Sequence, residues 1–503
     1  MMRRREFFDW MARGALLVGA GVLVADDGLE GWPDEGERLD FGALEPLAAL
    51  MQDTDADALL PKLRKASGAG TTLETLVAAA ALANARSFGG TDYVGYHAAM
   101  ALVPALLMSR QMPKGQEAIP VLKVIHRNTE RIRRVGGRKK EALRTIQNPA
   151  EAVSAESLIG AERRGDLGTV ERQFAAAMTR GRASAYELLQ PLVRENIDVH
   201  QVVLAWRAWD LLRLTGPEHA HTMLRQVARH AVDRETSRRR DGKAAPSLRH
   251  VLPDLMSDLN LTDATPGTLR LDAKQLESLT TAIFGSGRDE AAEIMATALA
   301  KGTHPQDAGE ALSLAAARLL LNDQGRTRGE AGKPAGSVHG ASVGVHAADS
   351  AAAWRGIAAV SEPPIALATL IAGAWHTAGQ SHRVGRQAFH VDAREDAAKV
   401  EARNLGPALA EAMREGDQKR AAAIGECWLS SGAPGDQAFA LILAEMVAFD
   451  GALHHEKFFQ TCYEGFTTSA PASQPLWIAA AARVAASGHG HASPAYQRAL
   501  ETE

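Results

Sequence analysis

Residues 198–230 read DVHQVVLAWRAWDLLRLTGPEHAHTMLRQVARH, and this stretch decides the fold. After Asp198 an apolar run continues from Val199 to Leu214, longer than a strand and without strand alternation. Thr215-Gly216-Pro217 breaks it, and a second periodic run returns from about Glu218 to His230. The pattern predicts two antiparallel helices joined by a tight turn. His200 opens the first helix, Pro217 follows 17 residues later and His230 closes the second 13 residues on. At a rise of about 1.5 Å per residue the two imidazoles differ in level by only about 6 Å. Both therefore sit near the open end of the hairpin.

The same register recurs. Val345-His346 aligns with Val199-His200, and the following Pro, Leu and His align without a gap (Pro217 with Pro363, Leu224 with Leu370, His230 with His376). Nearer the start, Tyr96-His97 is followed by Pro113, Leu122 and His126, each within one residue of the same spacing. His454-His455 stands near the equivalent position of a fourth copy, in which Arg483 and Val484 fall where a distal histidine would be expected.

Working outward, each histidine hairpin is preceded by a shorter one with Gly and Asp at the turn: 157–164 and 170–178, then 276–284 and 290–300, then 409–414 and 421–429. Residues 47–63 form a degenerate first counterpart, and a further helix, as in 186–193 and 306–321, leads into the histidine hairpin. The expected fold is all-α: four divergent helical-hairpin modules, packed as a repeat array or closed into a globule. Their expected spans are 41–150, 151–250, 270–390 and 400–503. The Gly- and charge-rich segment 323–337 is the longest connection and directly precedes a histidine cluster.

Composition agrees with helix and excludes some functions. The 503 residues are 46% hydrophobic but only 5% aromatic, and the periodic parts are rich in Ala, Leu, Arg and Glu. A net charge of −4 gives no global basic field, which speaks against nucleic acid as a partner. The basic clusters 126–144 and 234–243 read as solvated linkers. The two cysteines, Cys427 and Cys462, belong to no CxxC and do not suggest a thiolate metal site; an oxidising compartment would permit a disulfide between them. There is no phosphate-binding loop, no GxSxG elbow and no HExxH.

Two resemblances add expectations. Arg4-Arg5-Glu6-Phe7-Phe8 resembles the core of the twin-arginine export motif, and the short apolar run 14–25 suits a signal segment at 1–26, followed by a linker at 27–40. This implies a partner in the twin-arginine export machinery, export to the periplasm (as a cleaved signal or an uncleaved N-terminal anchor) and folding with a cofactor before export. No later segment reads as a membrane span. The histidine segments Val94-Gly95-Tyr96-His97, Asp198-Val199-His200 and Val338-His339-Gly340-Ala341-Ser342 with His346 resemble the questin oxidase-like family. That resemblance implies histidine-bearing helices around a non-haem iron, and it points to His97, His200, His339 and His346.

These four are the candidate metal ligands, with His126, His230, His376 and His454 as further candidates. Imidazole suits iron, copper and zinc, and iron is favoured over the other two. Trp206, Trp209 and Trp354 with Arg207 and Arg355 are the candidate lining of a pocket for a small organic substrate, core packing being their ordinary role. The leading expectation is an exported histidine metalloprotein, specifically a non-haem iron oxidoreductase. The alternative is a periplasmic helical-repeat binding protein whose histidines are structural.

Overall fold

The computed structural model describes residues 36–330 and 332–501. The twin-arginine-like signal and most of the expected linker lie outside the described residues. Its last part, 36–40, is docked rather than loose. Thr145 donates its N–H to Glu37 O at 2.9 Å, and Arg38 pairs with the buried Glu141 carboxylate at 2.9 Å.

Among the described residues the chain forms 23 α-helices joined by turns and short 3-10 segments, and its only extended pairings are isolated bridges. Twenty of the helices fall into four sets of five. Each set has a short hairpin, a third helix, a histidine-bearing helix and a return helix. The short hairpins are Glu45–Asp53 with Ala56–Gly68, Ala155–Arg164 with Leu167–Met178, Ala273–Gly285 with Arg288–Ala300, and Leu405–Arg414 with Gln418–Cys427. The third helices are Leu73–Phe88, Arg182–Glu195, Pro305–Asn322 and Gly435–Ala448. The histidine hairpins are α1 (Tyr93–Ser109) with α2 (Ile119–Arg134), α3 (Val199–Thr215) with α4 (Ala220–Arg240), α5 (Val343–Val360) with α6 (Pro363–Ala378), and α7 (His454–Thr468) with α8 (Gln474–Gly488). Leu248–Asp258, Arg394–Ala398 and Pro494–Glu501 are additions to this plan.

Local chemistry explains the boundaries. Asp92, Asp198 and Ser342 cap α1, α3 and α5 by accepting backbone N–H bonds from Gly95, His200 and Val345. Gly165 in the left-handed region closes one short helix, and Asp166 caps the next. Helix α1 is buried almost all round from Gly95 to Leu106, which fits a central position.

The four histidine-bearing helices pack in a cycle, α1 on α3, α3 on α5, α5 on α7, and α7 back on α1. The array is therefore closed. A recurring cap makes the joints: a cation on a return helix binds the carbonyl end of the preceding set's third helix. Arg229 donates to Gly89 O at 3.2 Å and His230 to Gly90 O at 2.8 Å. Arg483 donates to Leu320 O and Asp323 O. Lys123 donates to Val447 O at 3.0 Å and pairs with Glu456 at 2.8 Å, joining the last set to the first. The remaining joint differs. Arg249 of the inserted helix Leu248–Asp258 takes Glu195 O, and Arg194 reaches Thr369 on α6. Gly90, at φ +83, lets α4 approach closely, since a Cβ there would lie 2.4 Å from Gln226 O.

The basic clusters expected to be solvated linkers are mostly helical and ion-paired. Arg131 pairs with Asp92, Arg238 with Glu235, and Arg144 with Glu141. Cys427 and Cys462 are free thiols. No helix among the described residues is long and apolar enough to cross a membrane.

Two stability predictions follow from this packing. Arg483→Met leaves two carbonyls of the third joint without their donor, and is expected to lower unfolding free energy in urea by about 2–4 kcal/mol. The exposed pair Arg134–Glu130 is expected to contribute under about 0.5 kcal/mol when cut. Burial also lowers the imidazoles of His376 and His455 to about 4. On unfolding they take up protons near the ordinary value of about 6.5, so stability is full above that pH and declines as pH falls toward about 4. At pH 5.5 each is expected to cost about 1.2 kcal/mol relative to neutral pH, read as a falling urea midpoint.

Candidate metal centre

Four imidazoles meet where the N-terminal turns of the central helices converge. His97 is the fifth residue of α1, His200 the second of α3, His346 the fourth of α5 and His454 the first of α7. Cβ bonds tilt toward a helix N-terminus, so side chains in the first turn reach off that end. Ring centroids lie 4.7 Å apart for His97 and His200, 5.3 Å for His200 and His346, 5.1 Å for His346 and His454, and 5.1 Å for His454 and His97. All four side chains are largely buried.

Hydrogen bonds set the tautomers. His97 Nδ1 lies 2.6 Å from Tyr93 O, and His454 Nδ1 lies 3.0 Å from Ala452 O. His200 Nδ1 lies 2.9 Å from Asp198 Oδ1. Burial raises the Asp198 carboxyl, but Arg234 and His200 outweigh this and hold it well below its ordinary value. A carbonyl or carboxylate oxygen only accepts, so each of these three rings carries its proton on Nδ1, as inferred from the network. Burial, reinforced by neighbouring imidazoles and the Lys457 ammonium, pushes His97, His346 and His454 well below the ordinary imidazole range, so these rings are neutral. His97 and His454 therefore present bare Nε2 lone pairs.

Only one of those lone pairs is met. His454 Nε2 lies 3.1 Å from His346 Nε2, which must then carry the proton. His97 Nε2 and His200 Nε2 are buried without any partner. Buried polar atoms are seldom left so. With metal–nitrogen bonds of about 2.0–2.1 Å, two Nε2 atoms stand about 2.9 Å apart at a right angle and about 3.4 Å apart at the tetrahedral angle. The 3.1 Å separation falls between these. Among the described residues, no group of three or more His, Cys, Asp or Glu side chains is arranged so that it could hold a metal ion. The fold provides ring spacing, tautomer and burial.

Two tyrosines border the ring. Tyr96 stacks on His97 at 5.0 Å, and Tyr93 lies over His97 at 4.4 Å while staying 38% exposed. Burial, with the Asp198 and Glu330 carboxylates, pushes the Tyr93 phenol up to about 12. The charges of Arg326 and Lys333, in the long connection expected to matter, act on His346 and His454 respectively.

The remaining sequence candidates lie elsewhere. His339 is not in this ring. Its Nδ1 bonds Ser487 Oγ at 2.9 Å, its Nε2 bonds Gly332 O at 2.9 Å, and its ring stacks on His491. It precedes the Ser342 cap, so it lies in the connection rather than on α5. His126 bonds Asp57, His376 accepts from Trp354 Nε1, and His230 bonds Gly90 O with its ring edge against Tyr96. His126 and His376 thus serve joints and packing, whereas His230 stays beside His200, both rings lying against Tyr96, with its Nε2 buried and without a partner. Trp206 packs on Gly356, Trp209 on Tyr186, and Trp354 is fully buried. Arg207 pairs with Asp210, and Arg355 bonds Thr468. These five side chains are used in packing and pairing, not gathered around one pocket.

Lys457 and Asp349 escaped the sequence reading. Each stands three residues after a ring histidine, one helical turn further in, and that spacing from His454 and His346 was the available signal. No family model, curated protein or solved structure matches the chain.

In metal-free protein at pH 7, side-chain nitrogen NMR is expected to show His97 and His454 protonated at Nδ1 alone. An Nε2–H tautomer at either would contradict the assignment.

Proposed function

We propose that this chain is a metalloprotein in which His97, His200, His346 and His454 bind one first-row transition metal ion through Nε2. The observation that carries the reading is that His97 Nε2 and His200 Nε2 are buried without a partner while the other nitrogen of each ring is hydrogen-bonded. That is the usual outer support of a metal-bound histidine. Histidine χ2 turns within a broad well, so modest rotations of His97 and His200 bring their nitrogens in.

Four neutral nitrogen donors without thiolate suit iron, copper or zinc. The questin oxidase-like resemblance favours iron, and with it an oxidoreductase acting on a small organic substrate. A bound iron would supply one-electron chemistry; the chain would orient the ligands, exclude water from them and place Tyr93 and Tyr96 at the ring's edge. The twin-arginine-like N-terminus supports export of the folded, metal-loaded protein to the periplasm.

Elemental analysis of protein purified through its native export route is expected to find about one metal ion per chain. The His97→Ala/His200→Ala/His346→Ala variant is expected to lose it while remaining helical by circular dichroism, as is His454→Ala. His339→Ala is expected to keep it. Absence of metal from the wild type, and no uptake on reconstitution, would contradict the proposal and leave a helical-repeat interaction protein.

A further inference from the structure

A surface cleft of about 490 Å³ opens where the third and fourth sets meet, and none of the four imidazoles lines it. One wall is the loop 385–389, which follows α6. Both ends of that loop are pinned to the carbonyl end of the helix Pro305–Asn322. Gly385 donates its N–H to Asn322 O at 2.9 Å and accepts from Asn322 Nδ2 at 3.0 Å, and Phe389 donates its N–H to Leu321 O at 2.7 Å. The next residue, His390, is fully buried and bonds Glu426 at 2.9 Å. The cleft is therefore preformed, and its volume lies within the range of small-molecule sites, about 300–1,000 Å³.

Between its pinned ends the loop has hydrogen-bond donors to spare. The backbone N–H groups of Arg386, Gln387 and Ala388 have no acceptor among the described residues. The exposed Arg386 guanidinium likewise has neither a hydrogen bond nor an ion pair among them. The other two charges on the lining cancel, because Lys419 Nζ pairs with Asp392 at 2.6 Å. Arg386 is thus the one uncommitted charge of the lining among the described residues. A guanidinium flanked by free N–H groups matches the oxygens of a carboxylate or a phosphate.

Apolar surface lies beside these donors. The Phe389 ring lines the cleft and is held from the interior by Arg483, a fully buried side chain whose guanidinium is 4.1 Å from the ring centroid. Val391, on the same lining, is 45% exposed. An aromatic ring and an open valine suit the body of an organic ligand rather than a bare inorganic ion. We propose that this cleft binds a small organic oxyanion, with its carboxylate or phosphate on Arg386 and the loop N–H groups and its apolar body against Phe389 and Val391. The site does not depend on the metal reading above.

The test is a saturation-transfer NMR titration of the full-length protein with phenyl phosphate, benzoate and the neutral benzyl alcohol. Wild type is expected to bind at least one of the two anions with Kd of about 1 mM or tighter, and benzyl alcohol about fivefold or more weakly than that anion. The tighter anion identifies the headgroup. Arg386→Gln, a change at an exposed side chain, is expected to weaken that anion about fivefold or more, and Val391→Asp to weaken it as much. Arg180→Gln, at an exposed arginine in the turn before Arg182–Glu195, is expected to leave it unchanged. Failure of both anions to bind would overturn the proposal. So would equal affinity in wild type and Arg386→Gln, or benzyl alcohol binding as tightly as the better anion. An equal loss in Arg180→Gln would assign the binding to general surface charge and overturn it as well.

Discussion

The structure turns on how three histidine rings are held. The oxygens of Tyr93, Ala452 and Asp198 each accept an Nδ1–H, and Nε2 of His97 and His200 is left buried without a partner. A lone pair in a dry interior is costly without a proton or a metal to meet it. Each of the four central helices contributes one imidazole from its first turn, and the hydrogen bonds that orient three of them come from those helices' own N-terminal turns or caps, or from the residues just before them.

Convergence depends on closure of the ring of helices. In an open array the first and last sets would be far apart, and His97 could not lie beside His454. Here Lys123, on α2, ties the first set to the last by binding Val447 O and Glu456, so the two ends of the chain supply adjacent members of the centre. The recurring cation cap at the other joints achieves the same with different residues, Arg229 with His230 at one and Arg483 at another. The histidines at the core and the cations at the joints are thus separate residues of one repeated plan.

Much of the plan was legible in the sequence because it rests on local rules. Asp198, Gly216 and Pro217 fix the ends of α3 and the start of the returning segment, and the shared Val-His and Pro spacing locates α5 in the same way. What the spacing lacks is helical phase relative to neighbours. His230 and His376 match in number, yet one caps a joint and the other packs on Trp354, because their faces are set by partner helices distant in sequence. His339 looked equivalent to a ligand, but Gly340, at φ +69, and the Ser342 cap put it before the helix begins. His454 carries no Val-His signature, since α7 starts from Leu453 in the left-handed region. Its place in the ring becomes visible only once the ring closes.

The most direct measurement is anomalous diffraction from crystals of the purified protein at the absorption edge of whatever metal it carries. The account predicts a single peak about 2.0–2.2 Å from Nε2 of His97, His200, His346 and His454. A peak on other side chains, such as His339 and His491, or none in protein that retains its metal, would contradict it.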